Sequence, residues 1–283
     1  MVDSRTAVVT GASGGIGLET TRALAKRGYR VVMLCRNPKK GDAARADVLS
    51  TVPGASLDIV LADLSSMEQV RAAVGEIQAR CERLDVLVNN AGIQLRRQQR
   101  TPEGLDLLIA TNHLGPFLLT NLLVPLLRKS APSRVVVVAS EAHKFSKELH
   151  MDELQATRSY GILGMRRYGE TKLMNIVFAR ELARRLDCSG VTVNAVHPGS
   201  VATNLGEPPK VISTLSSRFM KTAAQGAATS VRVATDPALE GVTGAYFVNE
   251  QRADEKLSRQ ARDNVLAWAL WERSEQLTGS TFG

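Results

Sequence analysis

Residues 6–10, Thr-Ala-Val-Val-Thr, form a short apolar and β-branched run that leads into Gly11-Ala12-Ser13-Gly14-Gly15-Ile16-Gly17, after which residues 18–27 carry helical spacing. A strand, a glycine turn and a helix in that order leave few folds open. Glycines at 11, 15 and 17 remove side chains where the backbone must turn tightly and come close to a ligand. The unpaired N–H groups and positive dipole end of the following helix suit a pyrophosphate. The loop reads Thr-Gly-x-x-x-Gly-x-Gly, a looser turn than Gly-x-Gly-x-x-Gly. Gly11, Ser13, Gly15, Ile16 and Gly17 are its candidate contacts to a dinucleotide.

The rest of the chain repeats the alternation. Residues 31–34, 57–61, 86–89, 135–139 and 192–196 are short apolar or β-branched runs, each followed by a helical pattern, and 245–248 would add a late strand. Runs this continuously apolar are buried on both faces, which marks a parallel sheet. The expected fold is α/β: a Rossmann-type, doubly wound parallel sheet of about seven strands with helices on both faces. At 283 residues and 44% apolar, with no linker, repeat or low-complexity tract, a single domain over 1–283 suffices. Residues 94–100 are polar and basic, and residues 200–223 resemble a loop covering a substrate, with Val211, Ile212, Leu215, Phe219 and Met220 as its apolar residues. Residues 254–276 should be a C-terminal helix with Leu257, Ala261, Val265, Trp268 and Leu270 as apolar positions and both Trp268 and Trp271 packing inward.

Charge and cysteine content exclude several functions. The net charge of +8 comes from Lys and Arg scattered among acids, as in Glu181-Leu182-Ala183-Arg184-Arg185, and aromatics are only 4%, too few for a base-stacking platform. A nucleic-acid partner is not expected. Cys35, Cys81 and Cys188 are odd in number and widely spaced, so free thiols in a reducing compartment fit, and no histidine stands at metal-ligand spacing from another ligand. No metal is expected. The N-terminus lacks a signal-peptide apolar segment and no apolar run reads as long enough to span a bilayer, so a soluble cytoplasmic protein is expected.

The chemistry concentrates in Tyr168-Gly169-Glu170-Thr171-Lys172. On a helix, positions four apart share a face, so a phenol and an ammonium meet. The positive charge should pull the phenol pKa down toward working pH and let Tyr168 exchange a proton with an alcohol or carbonyl. Tyr160 has no lysine four residues on and competes poorly.

Taken together, Thr10-Gly11 to Gly17, Asn89-Asn90-Ala91-Gly92, Asn112, Ser140, Tyr168 with Lys172, and Pro198-Gly199 resemble in order and spacing the short-chain dehydrogenase/reductase family, over nearly the whole chain. The segments 112–120, 140–143 and 196–199 resemble its retinol dehydrogenase-like branch. The resemblance implies a catalytic set of Asn112, Ser140, Tyr168 and Lys172. Tyr168 would supply the proton and Ser140 a second hydrogen bond to the carbonyl oxygen. Lys172 would hold the nicotinamide ribose, and Asn112 a water joining Lys172 to solvent. It places Asp63 and Leu64 at the adenine, Asn90, Ala91 and Gly92 along the cofactor, and Pro198, Gly199 and Thr203 at the nicotinamide. It also implies a homodimer or homotetramer, formed through the helices after the fourth and fifth strands.

Cofactor choice turns on the end of the second strand. A carboxylate there would accept from the ribose 2′-OH, but this chain has Cys35 followed by Arg36, and an arginine would grip a 2′-phosphate. The same guanidinium could also stack on the adenine of either cofactor. The expectation is NADPH-dependent reduction of a mainly apolar ketone or aldehyde. NAD-dependent alcohol oxidation is the alternative within the class, and a non-catalytic dinucleotide-binding sensor or scaffold the alternative outside it.

Overall fold

The computed structural model describes residues 5–146, 148–151, 154–155, 160–201 and 220–282. The described strands are β1 (Thr6–Thr10), β2 (Arg30–Cys35), β3 (Leu57–Leu61), β4 (Val86–Asn89), β5 (Ser133–Val138), β6 (Val191–His197), β7 (Tyr246–Val248) and β8 (Gln251–Arg252). Between and after them run α1 (Gly15–Lys26), α2 (Pro38–Thr51), α3 (Met67–Arg80), α4 (Leu107–Ile109), a π-helical turn (Ala110–Leu114), α5 (Gly115–Lys129), α6 (Met165–Arg185), α7 (Ala223–Thr235) and α8 (Asn264–Thr278). The sheet order is β3-β2-β1-β4-β5-β6-β7-β8, parallel through β7, with β8 antiparallel at the edge.

The core is split by the sheet, as a doubly wound fold requires. Val8, Val32, Leu34, Leu87, Val135, Val137 and Val193 point to the face covered by α3, α5, α6 and α8. Val9, Val31, Met33, Val88, Val136 and Val196 point to the face where α1, α2 and α7 lie. Each such side chain contributes roughly 1.5–3 kcal/mol of burial. Order reverses at β1, which has β2 on one side and β4 on the other, so the crevice at the carboxyl ends of β1 and β4 is the place for a ligand.

Two sequence expectations need correction, and one gains an element. The expected parallel sheet of about seven strands is β1 to β7, and an eighth, antiparallel strand joins it because Asn249 and Glu250, at φ 50° and 64°, form a tight turn that folds β8 back on β7. Asn-Glu lacks the glycine that usually announces such a turn. The C-terminal helix starts at Asn264, capped by Asp263 Oδ1 on Val265 N and Leu266 N, after two short 3-10 turns. Its inward face is therefore Ala267, Leu270, Trp271, Ser274 and Thr278, while Val265 and Trp268 are exposed. Among the described residues one helix, Leu107–Lys129, is long and apolar enough to cross a membrane, but most of it is buried in the core.

Candidate active site

The glycine loop forms the cradle its sequence promised. Gly11 and Gly15 take φ of +66° and +54°, and a Cβ on Gly17 would lie 2.3 Å from the Gly11 carbonyl oxygen and 2.5 Å from Asn90 Nδ2. Only glycine fits there. Gly14 precedes α1 and offers no side-chain cap, so the first-turn N–H groups of the helix stay open to an anion. Thr10 Oγ1 accepts from both Asn90 N and Ala91 N at 2.9 Å, and Asn90 Nδ2 donates to the Thr10 carbonyl at 2.9 Å. These bonds join the ends of β1 and β4. Ser13 lies in the loop within bonding reach of Cys35, and Ile16 turns inward to pack with Val201, Ala227 and Val231. Burial pushes the Cys35 thiol up to about 11, so it is an inert packing group.

At the cradle's outer rim, Arg36 follows β2 and extends a largely exposed guanidinium 3.8 Å from Asp63 Oδ2. The other Asp63 oxygen accepts from Ser65 N at 2.9 Å and Ser65 Oγ at 2.7 Å, fixing the turn into α3. Leu64 faces the core, and its carbonyl oxygen would meet a Cβ on Gly115 at 2.1 Å, so α5 starts directly against that backbone. The glycine positions, the open helix start and the exposed arginine together fit a nicotinamide dinucleotide.

The residues expected to be catalytic lie near the carboxyl ends of β4 and β5. Asn112 lies in the π-helical turn, fully buried, with Oδ1 accepting from Ile93 N at 2.8 Å and Nδ2 donating to Ile93 O at 2.9 Å and Thr171 Oγ1 at 3.1 Å. A Cβ on Gly92 would be 3.5 Å from both Asn112 Oδ1 and Lys172 Nζ, so this glycine lets the two polar groups flank one backbone. Ser140 lies two residues beyond β5 and caps the 3-10 turn Glu141–Phe145, its Oγ accepting from Ala142 N at 3.1 Å. That segment rests on α6 at Gly169, where a Cβ would fall 2.4 Å from the Ala142 carbonyl oxygen.

The electrostatics depart from expectation. Lys172 Nζ donates to the Val138 carbonyl at 3.1 Å and lies 5.5 Å from the Tyr168 ring centre. Burial pushes the Lys172 pKa down to about 8 and the Tyr168 pKa up to about 12. The lowering of Tyr168 by its lysine, expected from spacing, is outweighed by loss of solvent around the phenol. Tyr168 is therefore held neutral.

The remaining expected residues divide. Gly199 takes φ +87°, and Lys221 N donates to Ser200 O at 2.8 Å, so the chain leaves and rejoins the site at one point, beside Pro198. Thr203 and the apolar residues 211–219 of the covering loop lie outside the described residues, and Met220 is exposed. Structural roles fit the histidines. His143 Nδ1 bonds Ser140 O at 2.8 Å, His113 Nε2 bonds Ser274 Oγ at 2.8 Å, and burial holds His113 and His197 down at about 4. Among the described residues no cluster could hold a metal.

Residues 5–151 match the family model described as short chain dehydrogenase. The chain belongs to the short-chain dehydrogenase/reductase family. It is 40% identical to human retinol dehydrogenase 14 over 99% of this chain and 88% of that protein. Human dehydrogenase/reductase SDR family member 13 is 41% identical, over 97% of this chain and 73% of that protein. These relatives place it in the retinol dehydrogenase-like branch. Among solved structures, an uncharacterized protein from Mycobacterium paratuberculosis superimposes with TM-score 0.78 at 32% identity, covering 99% of this chain and 95% of that one. An actinorhodin polyketide ketoreductase variant with NADPH does so with TM-score 0.68 at 25% identity, covering 87% and 95%.

Sequence reading passed over several residues on which this dehydrogenase site depends. Thr171 ties Asn112 to the catalytic helix, and Gly115 and Gly169 permit two close backbone approaches. A glycine inside a helical pattern was the available signal for the last two.

Proposed function

We propose that the protein reduces a mainly apolar ketone or aldehyde to the alcohol with NADPH, reversibly. The observation that carries this reading is the buried Tyr168–Lys172 pair beside the glycine cradle, with Lys172 Nζ 5.5 Å from the Tyr168 ring centre. A reduced nicotinamide, when bound, supplies the hydride. Tyr168 gives its proton to the carbonyl oxygen as negative charge develops there, and Ser140 Oγ offers the second hydrogen bond. The Lys172 ammonium then faces the new phenolate and stabilises it, while the Val138 carbonyl keeps Nζ in place. Asn112, bonded to Ile93 and Thr171, fixes the wall behind Lys172.

Arg36 supports NADPH, since its exposed guanidinium stands where a 2′-phosphate would need a cation. The apolar substrate class draws support from relatives named for retinol, a long apolar alcohol. A second reading, NAD-dependent alcohol oxidation, is favoured by one observation: the Asp63 carboxylate 3.8 Å from Arg36 shares that rim and would repel a phosphate. Paired titration of NADPH and NADH into wild type and Arg36→Ala separates the two, followed by a ketone and aldehyde panel. NADPH preference lost in the variant, with turnover lost in Tyr168→Phe, supports the reductase. Equal binding of NADH, unchanged by the substitution, would favour the second reading. Dinucleotide binding without turnover of any carbonyl or alcohol would leave the sensor.

A further inference from the structure

Beside the site lies a buried ionic cluster that the chemistry above does not use. Asp106, Arg167 and Glu170 are each at most 1% exposed. Arg167 Nη1 donates to Glu170 Oε2 at 2.6 Å, and Nη2 donates to Leu154 O at 2.5 Å and approaches Asp106 Oδ2 at 3.5 Å. Asp106 Oδ2 also accepts from Tyr160 OH at 2.9 Å and Gln98 Nε2 at 3.2 Å. Its other oxygen caps α4, accepting from Leu108 N and Ile109 N at 3.1 Å each. Arg166 Nε adds a partner for Glu170 at 3.4 Å.

What the cluster joins is more informative than its energy. Asp106 starts the helical run that reaches Asn112 six residues on, and Arg167 and Glu170 flank Tyr168 on α6. Of their partners, Gln98 belongs to the segment that leads into α4, and Leu154 and Tyr160 to the segment that leads into α6. One carboxylate therefore sets the start of the Asn112 helix and, through a forked guanidinium, the start of the Tyr168 helix. Buried charges cost desolvation and are poor sources of stability compared with apolar packing, but the directions of their hydrogen bonds fix geometry.

Resting on the reductase reading, the geometry points to Arg167 as a positioning residue that, through Asp106, sets the register between Asn112 and the Tyr168–Lys172 pair. A fork is required because one guanidinium must meet Glu170, Asp106 and the Leu154 carbonyl at once, which an ammonium on a flexible stem does poorly. Positional errors of about 1 Å at reacting groups lower rates on the order of a hundredfold.

The test compares wild type with Arg167→Lys, which keeps the charge, and Asp106→Asn, which keeps the helix cap; Arg167→Met is avoided because it would strand two buried carboxylates. Amide hydrogen exchange is read by peptide. Either substitution should speed exchange both in residues 106–114 and in 165–172, leaving 6–26 unchanged. In turnover, kcat should fall tenfold to a hundredfold with the carbonyl KM and NADPH affinity held, and the alkaline limb of the kcat profile should move. Exchange confined to the substituted residue's own helix, or an even rise across the molecule tracking a lower Tm, would overturn the proposal, as would wild-type kinetics in Arg167→Lys. If the wild type neither binds NADPH nor turns over, the functional reading fails while the exchange comparison still decides whether the two helices are coupled.

Discussion

If the proposed reduction runs here, Lys172 should decide the pH behaviour of the site. Its pKa is pushed down to about 8 by burial, so the ammonium is present below that value and lost above it. Reduction leaves a phenolate on Tyr168 that this charge must stabilise, so kcat for carbonyl reduction should fall as pH rises through about 8, whereas a site run by an unperturbed lysine would hold its rate past pH 9 or so. A rate profile flat from pH 7 to about 9.5 would contradict it. Tyr168→Phe removes the donor and should lower kcat by about 10²–10⁴, measured at saturating carbonyl, with the fold retained by circular dichroism. Gly17→Ala meets backbone rather than a yielding side chain, 2.3 Å from the Gly11 oxygen. Calorimetric titration should find dinucleotide binding to this variant abolished; binding at wild-type affinity would show that the loop relaxes and that the cradle is not what holds the ligand.

At the scale of elements, α6 carries most of the site and shows why some of it could be read in the sequence. Tyr168 and Lys172 are one turn apart, so their meeting follows from helical geometry alone. The strands were equally legible because a parallel strand buried on both faces is mostly apolar, and β1 and β4 are buried at every position. The tie of Arg167 to Asp106 spans 61 residues and no local period announces it. The start of α8 was hidden for a related reason: two 3-10 turns precede it and break the phase, so Trp268 reads as inward when Trp271 is the buried one. Trp271 stacks with Phe178 at 5.9 Å, meets Phe117 edge-on at 4.9 Å and lies under the Arg185 guanidinium at 4.2 Å. Trp271→Ala should therefore destabilise by about 3–5 kcal/mol, seen as a lower urea midpoint. Trp268→Ala, half-exposed, should stay within about 0.5 kcal/mol of wild type. Equal losses would mean that the helix phase is wrong.

For the whole molecule, that same helix bears on assembly. The homo-oligomer implied by family resemblance would form through α5 and α6, the helices after the fourth and fifth strands. In this chain α8 covers them: Trp271 packs on Phe117 of α5 and Phe178 of α6, Ser274 Oγ bonds His113 at 2.8 Å, and Phe282 closes the edge against Trp271 at 5.2 Å. A second copy seated on that face would have to displace α8 and expose a tryptophan whose burial is worth about 3–5 kcal/mol before any new contact forms. The protein is expected to be monomeric at micromolar concentration, measured by light scattering coupled to size exclusion. The outer side of α8 gives the clearest way for this to fail, since Val265 and Trp268 are 77% and 52% exposed and three residues apart on one face. A dimer that dissociates in Trp268→Ala would sink the monomer expectation and put the interface on α8 itself. A dimer indifferent to that substitution and retained on removal of α8 would mean that the helix swings away and the α5–α6 face is the interface after all.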